Sequence, residues 1–234
     1  MITLTDALPA VWAPNAEYIR IKCLYDCYKE DKDLLFWQQD GGRAYISLAD
    51  GDMTIFCENG DYEEIRGFIS VISPRSIFGS LDVLKALGFK NIHSVFVMSR
   101  KADISGNTAG DSLSSREIYD ILNVKEFSLP EYPYFAVDFS RRLNRGLGDY
   151  FAIKDNCAAV SFNTGNYALL NGIVSREKGL GTIALNAILQ KNYGRELLCC
   201  CEEELVGFYE KNGFIKRYKA GYSCRQQALT AFLI

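Results

Sequence analysis

Apolar positions in this chain fall into short clusters of two kinds, and the two kinds alternate. Compact apolar runs of four to eight residues, closed by Gly, Asn or Asp, read as strands. In the second half these are 150–153, 158–162, 167–174 and 197–201, with turns at Lys154-Asp155-Asn156 and Asn163-Thr164-Gly165-Asn166 between the first three. Apolar residues three and four apart read as helices. Ile183, Ala187 and Ile188 place one helix over 182–193, ahead of Gly194. Val137, Phe139 and Leu143 place another over 136–146, and 202–211 forms a third that ends at Asn212-Gly213. The last stretch, 214–234, is expected to supply two final strands.

The first half reads in a similar order. Helices are expected over 15–28, 81–87 and 115–123, and strands over 34–38, 44–48, 53–57, 66–72 and 94–98. Phe36 and Ala44 recur as Phe151 and Ala159 at one offset of 115 residues. An α/β fold with a mixed sheet, arranged as two tandem halves, is the expectation. The proposed boundary divides 1–126 from 127–234, near Pro130 and Pro133, which interrupt regular structure; the exposed loop Asp103 to Ser114, rich in Gly, Ser, Asp and Asn, could equally be the linker. The rival arrangement pairs the second half with an unrelated N-terminal domain.

Composition narrows the classes. The chain has 234 residues, 48% hydrophobic and 24% charged, the proportions of a globular protein with a sizeable core. A net charge of −3 lacks the basic excess of a nucleic-acid binder. No apolar run is long enough to span a bilayer, and 1–6 does not have the layout of a signal peptide. A cytoplasmic protein, with no membrane or nucleic-acid partner, is the expectation. The eight cysteines are then expected to be reduced thiols. Cys199-Cys200-Cys201 alternate faces on a strand and cannot converge on one ion, so no metal is expected. Cys23, Cys27, Trp12 and Trp37 read as core. The single histidine, His93, precedes a strand in the first half.

The most specific segment follows the strand 167–174. Arg176-Glu177-Lys178-Gly179-Leu180-Gly181-Thr182 runs straight into a helix. Its glycines let the backbone turn tightly and present N–H groups that lack intrahelical partners. Such a helix start suits a pyrophosphate. Then Tyr209-Glu210-Lys211-Asn212-Gly213-Phe214 follows, its tyrosine 33 residues beyond Arg176, with a strand between.

Together the two motifs resemble the GNAT superfamily, the GCN5-related N-acetyltransferases. That family has an Arg/Gln-x-x-Gly-x-Gly/Ala cofactor loop and, about 30 residues later, a Tyr-Glu-Lys-x-Gly-Phe element. The resemblance covers about 150–214 and implies the acyltransferase fold, acetyl-CoA as cofactor and a primary amine, on a small molecule or peptide, as acceptor. It places the cofactor on Ile173, Val174, Arg176, Lys178, Gly179, Leu180, Gly181 and Thr182. A backbone N–H near Ile173 or Val174 becomes the oxyanion donor. Tyr209 becomes the general acid for the leaving thiolate, its phenol ordinarily near pKa ~10. Asp138, Asp149 and Glu202–Glu204 are acidic candidates for the base.

The sequence departs from the family at Glu202 and Leu205, where Asn and a small residue are usual, and in the shortened lead Val174-Ser175-Arg176. A non-catalytic acetyl-CoA sensor or scaffold is therefore the alternative. In the first half, Ser73-Pro74-Arg75-Ser76-Ile77-Phe78-Gly79-Ser80 takes the place of the cofactor loop. Its bulk predicts no acetyl-CoA there.

Overall fold

The computed structural model describes residues 1–224 apart from 12, 32, 33, 126 and 128. Trp12 and the second of the two final strands lie outside the described residues. The chain divides into two compact units. One holds Met1–Met98 and the described residues from Cys200 onward, and the other holds Ser99–Cys199.

The first unit contains β1 (Ile2–Leu4), α1 (Ala16–Tyr28), β2 (Leu35–Gln39), β3 (Ala44–Ala49), β4 (Asp52–Cys57), α2 (Tyr62–Ile72), β5 (Ser76–Ser80), α3 (Leu81–Ala86) and most of β6 (His93–Lys101). The later chain adds α7 (Glu203–Lys211) and β11 (Ile215–Cys224). Its strands lie in the order β1-β2-β3-β4-β5-β11-β6. Pairing is antiparallel up to β4, parallel between β4 and β5, and antiparallel between β5 and β11.

Strand alternation decides what each face buries. Trp37, Ile46 and Ile55 pack with Ile77, Ile65, Ile69 and Leu84 in one core. Tyr45 and Phe56 instead stack 6.3 Å apart and meet Tyr18 of α1. Gly79 and Gly221 stand opposite each other in the β5–β11 register. A Cβ on Gly221 would lie 2.9 Å from the His93 carbonyl oxygen, so only glycine lets the backbone approach this closely.

The second unit contains α4 (Ser115–Leu122), α5 (Tyr132–Asn144), β7 (Gly148–Ile153), β8 (Cys157–Thr164), β9 (Tyr167–Ser175), α6 (Leu180–Lys191) and most of β10 (Glu196–Cys201). Its strands lie in the order β10-β9-β8-β7. The β7–β8 and β8–β9 pairs are antiparallel and β9–β10 is parallel. Ala184, Leu185, Ala187, Ile188 and Leu189 form the buried face of α6.

Along the chain the same order therefore occurs twice. β2-β3-β4-α2-β5-α3 is matched by β7-β8-β9-α6-β10-α7, with the same sequence of antiparallel, antiparallel and parallel pairs. This is the tandem α/β architecture that element order predicts.

Two expectations in the first half need correction. Residues 66–72 are not a strand but the larger part of α2. Ile65 and Ile69 are buried one turn apart, whereas Val71 is 81% exposed. Asp61 caps the helix by accepting from the Glu63 and Glu64 amides, and Ser73 closes it in the left-handed region at φ 57°. Residues 73–80 are consequently this C-cap followed by β5, not the counterpart of the cofactor loop. The true counterpart lies between β4 and α2, at Glu58-Asn59-Gly60-Asp61.

Candidate functional site

Hydrogen bonding in the second unit prepares an open helix start. Gly179 is the N-cap of α6, with φ 93° and ψ −29°, a conformation that strains any residue with a Cβ. No side chain caps this end, and its first turn carries no acid. Thr182 and Ile183 donate to the Gly179 carbonyl, and Leu180 donates to that of Glu177. The N–H groups of Gly179 and Gly181 meet no acceptor among the described residues. Nothing lies within 4 Å of the place where a Gly179 Cβ would stand. Helix dipole and open amides make this end attractive to an anion.

The strand leading into the loop is open as well. β9 pairs with β8 as far as Ser175, with Ala159 opposite Ile173 and Ala158 opposite Val174. Its pairing with β10 covers only Tyr167, Ala168 and Leu169. The β10-side edge of Ile173 and Val174 thus runs on past the last paired residue.

The two basic residues of the loop differ. Arg176 Nη1 donates to the Asp155 carbonyl at 2.8 Å and Nη2 to that of Asp120 at 3.4 Å. Its guanidinium fastens the loop to α4 and to the β7–β8 turn. Lys178 is exposed and carries the loop's other positive charge. In the first half, the start of α2 is closed by the Asp61 carboxylate and carries Glu63 and Glu64, which repel an anion.

Tyr209 belongs to the first unit, on α7. It is buried, with its ring edge-on to Phe208 and Phe214 at 5.1 and 5.4 Å. Its carbonyl accepts from the Phe214 amide and fixes the turn after the helix. The structure thus gathers 173–182 into one continuous segment of the second unit, whereas Tyr209 lies in the other unit.

The acidic candidates have other partners. Asp138 takes both oxygens to Arg142 Nε, at 2.8 and 3.0 Å. Arg142 is 1% exposed and stacks 4.0 Å over Phe162. Glu202 Oε1 meets His93 Nε2 at 2.5 Å. Glu203 and Glu204 occupy the first turn of α7. Asp149 accepts from Asn163 at 3.3 Å, and burial raises its pKa.

One polar cluster of the first unit carries a signal that motif reading passed over. Eleven of the thirteen residues of α1 are buried, and two of these are Glu17 and Arg20. A charged pair on so buried a helix marks a site, because burial of an unpaired charge is costly. Tyr218 donates to Glu17 Oε2 at 2.5 Å, and burial raises the Glu17 pKa to about 7.

The cysteines are free thiols, with Cys199 and Cys201 buried and Cys200 between them half-buried. No group of three or more His, Cys, Asp or Glu able to hold a metal ion occurs among the described residues. Among these residues, no helix is long and apolar enough to cross a membrane.

No protein-family model and no curated protein matches the sequence. Solved structures do match. A GCN5-related N-acetyltransferase from Sphaerobacter thermophilus is 11% identical with a TM-score of 0.52, over 96% of this chain and 99% of that one. A tandem GNAT protein from the clavulanic acid biosynthesis pathway, solved without AcCoA, is 14% identical with a TM-score of 0.51, over 97% and 100%. A GNAT-family acetyltransferase from Colwellia psychrerythraea is 12% identical with a TM-score of 0.50, over 96% and 100%. At such identities the likeness is one of architecture, and it agrees with the repeated element order: the chain has the fold of the GCN5-related N-acetyltransferases, in tandem form.

Proposed function

We propose that the protein is an acetyl-CoA-dependent N-acetyltransferase that acetylates a primary amine of a small molecule or peptide. The observation that carries this reading is the uncapped start of α6, with the Gly179 and Gly181 amides open and β9 running past its last pair with β10. These features fit the two ends of the cofactor. The amides of 179–182 would hold the pyrophosphate, with Lys178 adding charge. Free backbone groups of Ile173 and Val174 would take the pantetheine arm, and one N–H there would polarise the acyl oxygen. Leu180 and Thr182 would flank the adenine end. The bound cofactor supplies an acyl group activated as a thioester.

Tyr209 is the proposed general acid, holding the proton that the leaving sulfur requires. The capped and acidic start of α2 supports assigning the cofactor to the second half alone.

A thiol-release assay with acetyl-CoA across amines, amino acids, polyamines and peptides tests the reading. Turnover of an amine is expected, falling on the order of 10²-fold in Tyr209→Phe with cofactor affinity retained. Acetyl-CoA binding without turnover of any acceptor would replace the enzyme with a cofactor sensor. Full activity in Tyr209→Phe would return that residue to the core.

A further inference from the structure

The buried pair on α1 has an unusual arrangement. Glu17 is 1% exposed and Arg20 is 7% exposed, one helical turn apart. Residues at this spacing lie on one helix face and ordinarily form an ion pair when their charges are opposite. Here none forms. Glu17 Oε1 and Arg20 Nε each have no hydrogen-bond partner. Around them stand Tyr218, which donates to Glu17 Oε2 and accepts from the Ala16 amide at 2.8 Å, and Tyr222, 3.5 Å from Arg20 Nη1. Phe78 underlies the guanidinium at 5.0 Å. Tyr218, Tyr222 and Cys200 are half-buried, so the cluster reaches the surface of the unit.

A carboxylate oxygen and a guanidinium nitrogen, both buried without partners and one turn apart on α1, make a matched set. The carboxylate can accept from an ammonium, and Arg20 Nε can donate to a carboxylate. A lone amine would leave Arg20 unanswered, and a lone acid would leave Glu17 unanswered. Buried polar groups are almost always partnered, so two open ones of opposite sign call for a ligand with both charges. We propose that Glu17, Arg20, Tyr218 and Tyr222 form a binding site for a free α-amino acid, its ammonium on Glu17 Oε1 and its carboxylate on Arg20 Nε. This assignment stands whether or not the chain transfers acetyl groups.

The electrostatics of the site agree. Burial, opposed by the Tyr218 hydrogen bond and the Arg20 charge, leaves Glu17 titrating near 7. Cys200 and Tyr222 are each pushed up by burial to about 12 and stay neutral, while Cys201 acts on Cys200 and the Glu202 carboxylate acts on Tyr222. Tyr218 is raised higher still, again mainly by burial. Binding of an ammonium on Glu17 near neutral pH therefore drives a proton off its carboxyl.

Calorimetry on the full chain tests the proposal with glycine, L-alanine, L-glutamate and L-phenylalanine. Each is compared with its decarboxylated amine and its deaminated acid. At least one amino acid is expected to bind about 10-fold or more tightly than either counterpart, the scale of one lost charged hydrogen bond. Its heat should vary with the ionisation enthalpy of the buffer, because a proton is released. Glu17→Gln and Arg20→Met, each with an unchanged circular dichroism spectrum, should weaken it by a similar factor. Absence of binding by all four amino acids at millimolar concentration would overturn the site. Equal binding of the amines or acids alone, or undiminished affinity in both folded variants, would do the same. Should a variant fail to fold, the comparison of ligands on the wild-type chain decides.

Discussion

Tyr218 donates its hydroxyl proton to Glu17 Oε2 at 2.5 Å, joining β11 to α1 across 201 positions of the chain. This bond stabilises the Glu17 carboxylate, yet burial outweighs it and raises the pKa from 4.5 to about 7. The folded state then binds more protons than the unfolded chain between those values. The contribution to stability is complete below pH 4.5 and is lost as pH rises through about 7. The loss amounts to about 3 kcal/mol. Denaturant unfolding near pH ~5 and pH ~8 should show it in the wild type and not in Glu17→Gln. Parallel pH profiles for the two proteins would contradict it.

Arg142 offers a test in the second unit. Its guanidinium is buried between Asp138 and Phe162. Asp138→Asn removes a compensating charge and should destabilise the protein by about 2–3 kcal/mol, near the lower end for a broken buried pair because Asp138 is partly exposed. A shift of the denaturant midpoint reads this directly. An unchanged midpoint would show that Arg142 finds another partner.

The second half was legible because its signals were local and agreed. The apolar run before the glycines became β9, and the periodic stretch after them became α6. In the first half, 66–72 reads as a strand because Ile, Phe and Val crowd it. The decisive evidence lay just upstream, in Asp61 as N-cap and in the Ile65–Ile69 spacing. Once that helix is read as a strand, β5 is taken for a loop. Glu17 and Arg20 escape motif reading for a different reason. Their partners Tyr218 and Tyr222 are about 200 residues away, so only folding brings them together.

The two basic residues of the glycine loop should behave differently. Arg176 is tied to the Asp155 and Asp120 carbonyls, so Arg176→Ala loosens the loop. Lys178 is exposed, so Lys178→Ala removes a charge from the proposed phosphate site. Acetyl-CoA affinity should fall about 3–10-fold in Lys178→Ala, with a weaker dependence on salt than in the wild type. Arg176→Ala should keep the wild-type salt dependence. The reverse pattern would place the arginine on the phosphates.

Thiol chemistry gives a further check. Burial raises Cys157 to about 11 and Cys200 to about 12, and it also raises Cys57 and Cys224. Cys23, Cys27, Cys199 and Cys201 are buried. The thiolate is the reactive form, so the native protein should react slowly with a disulfide reagent near pH ~8. All eight thiols should appear on denaturation. Rapid reaction of several native thiols would contradict the packing around β10 and α1.

The central claim, that α6 begins at an acetyl-CoA site, is tested most directly by calorimetry of acetyl-CoA with the wild type and with Gly179→Trp. Open space surrounds Gly179, so the fold should accept the indole at a cost of about 1–2 kcal/mol for the left-handed backbone. The account predicts saturable binding to the wild type and its loss in a variant whose circular dichroism is unchanged. No binding to the wild type, or equal affinity in the folded variant, would contradict it.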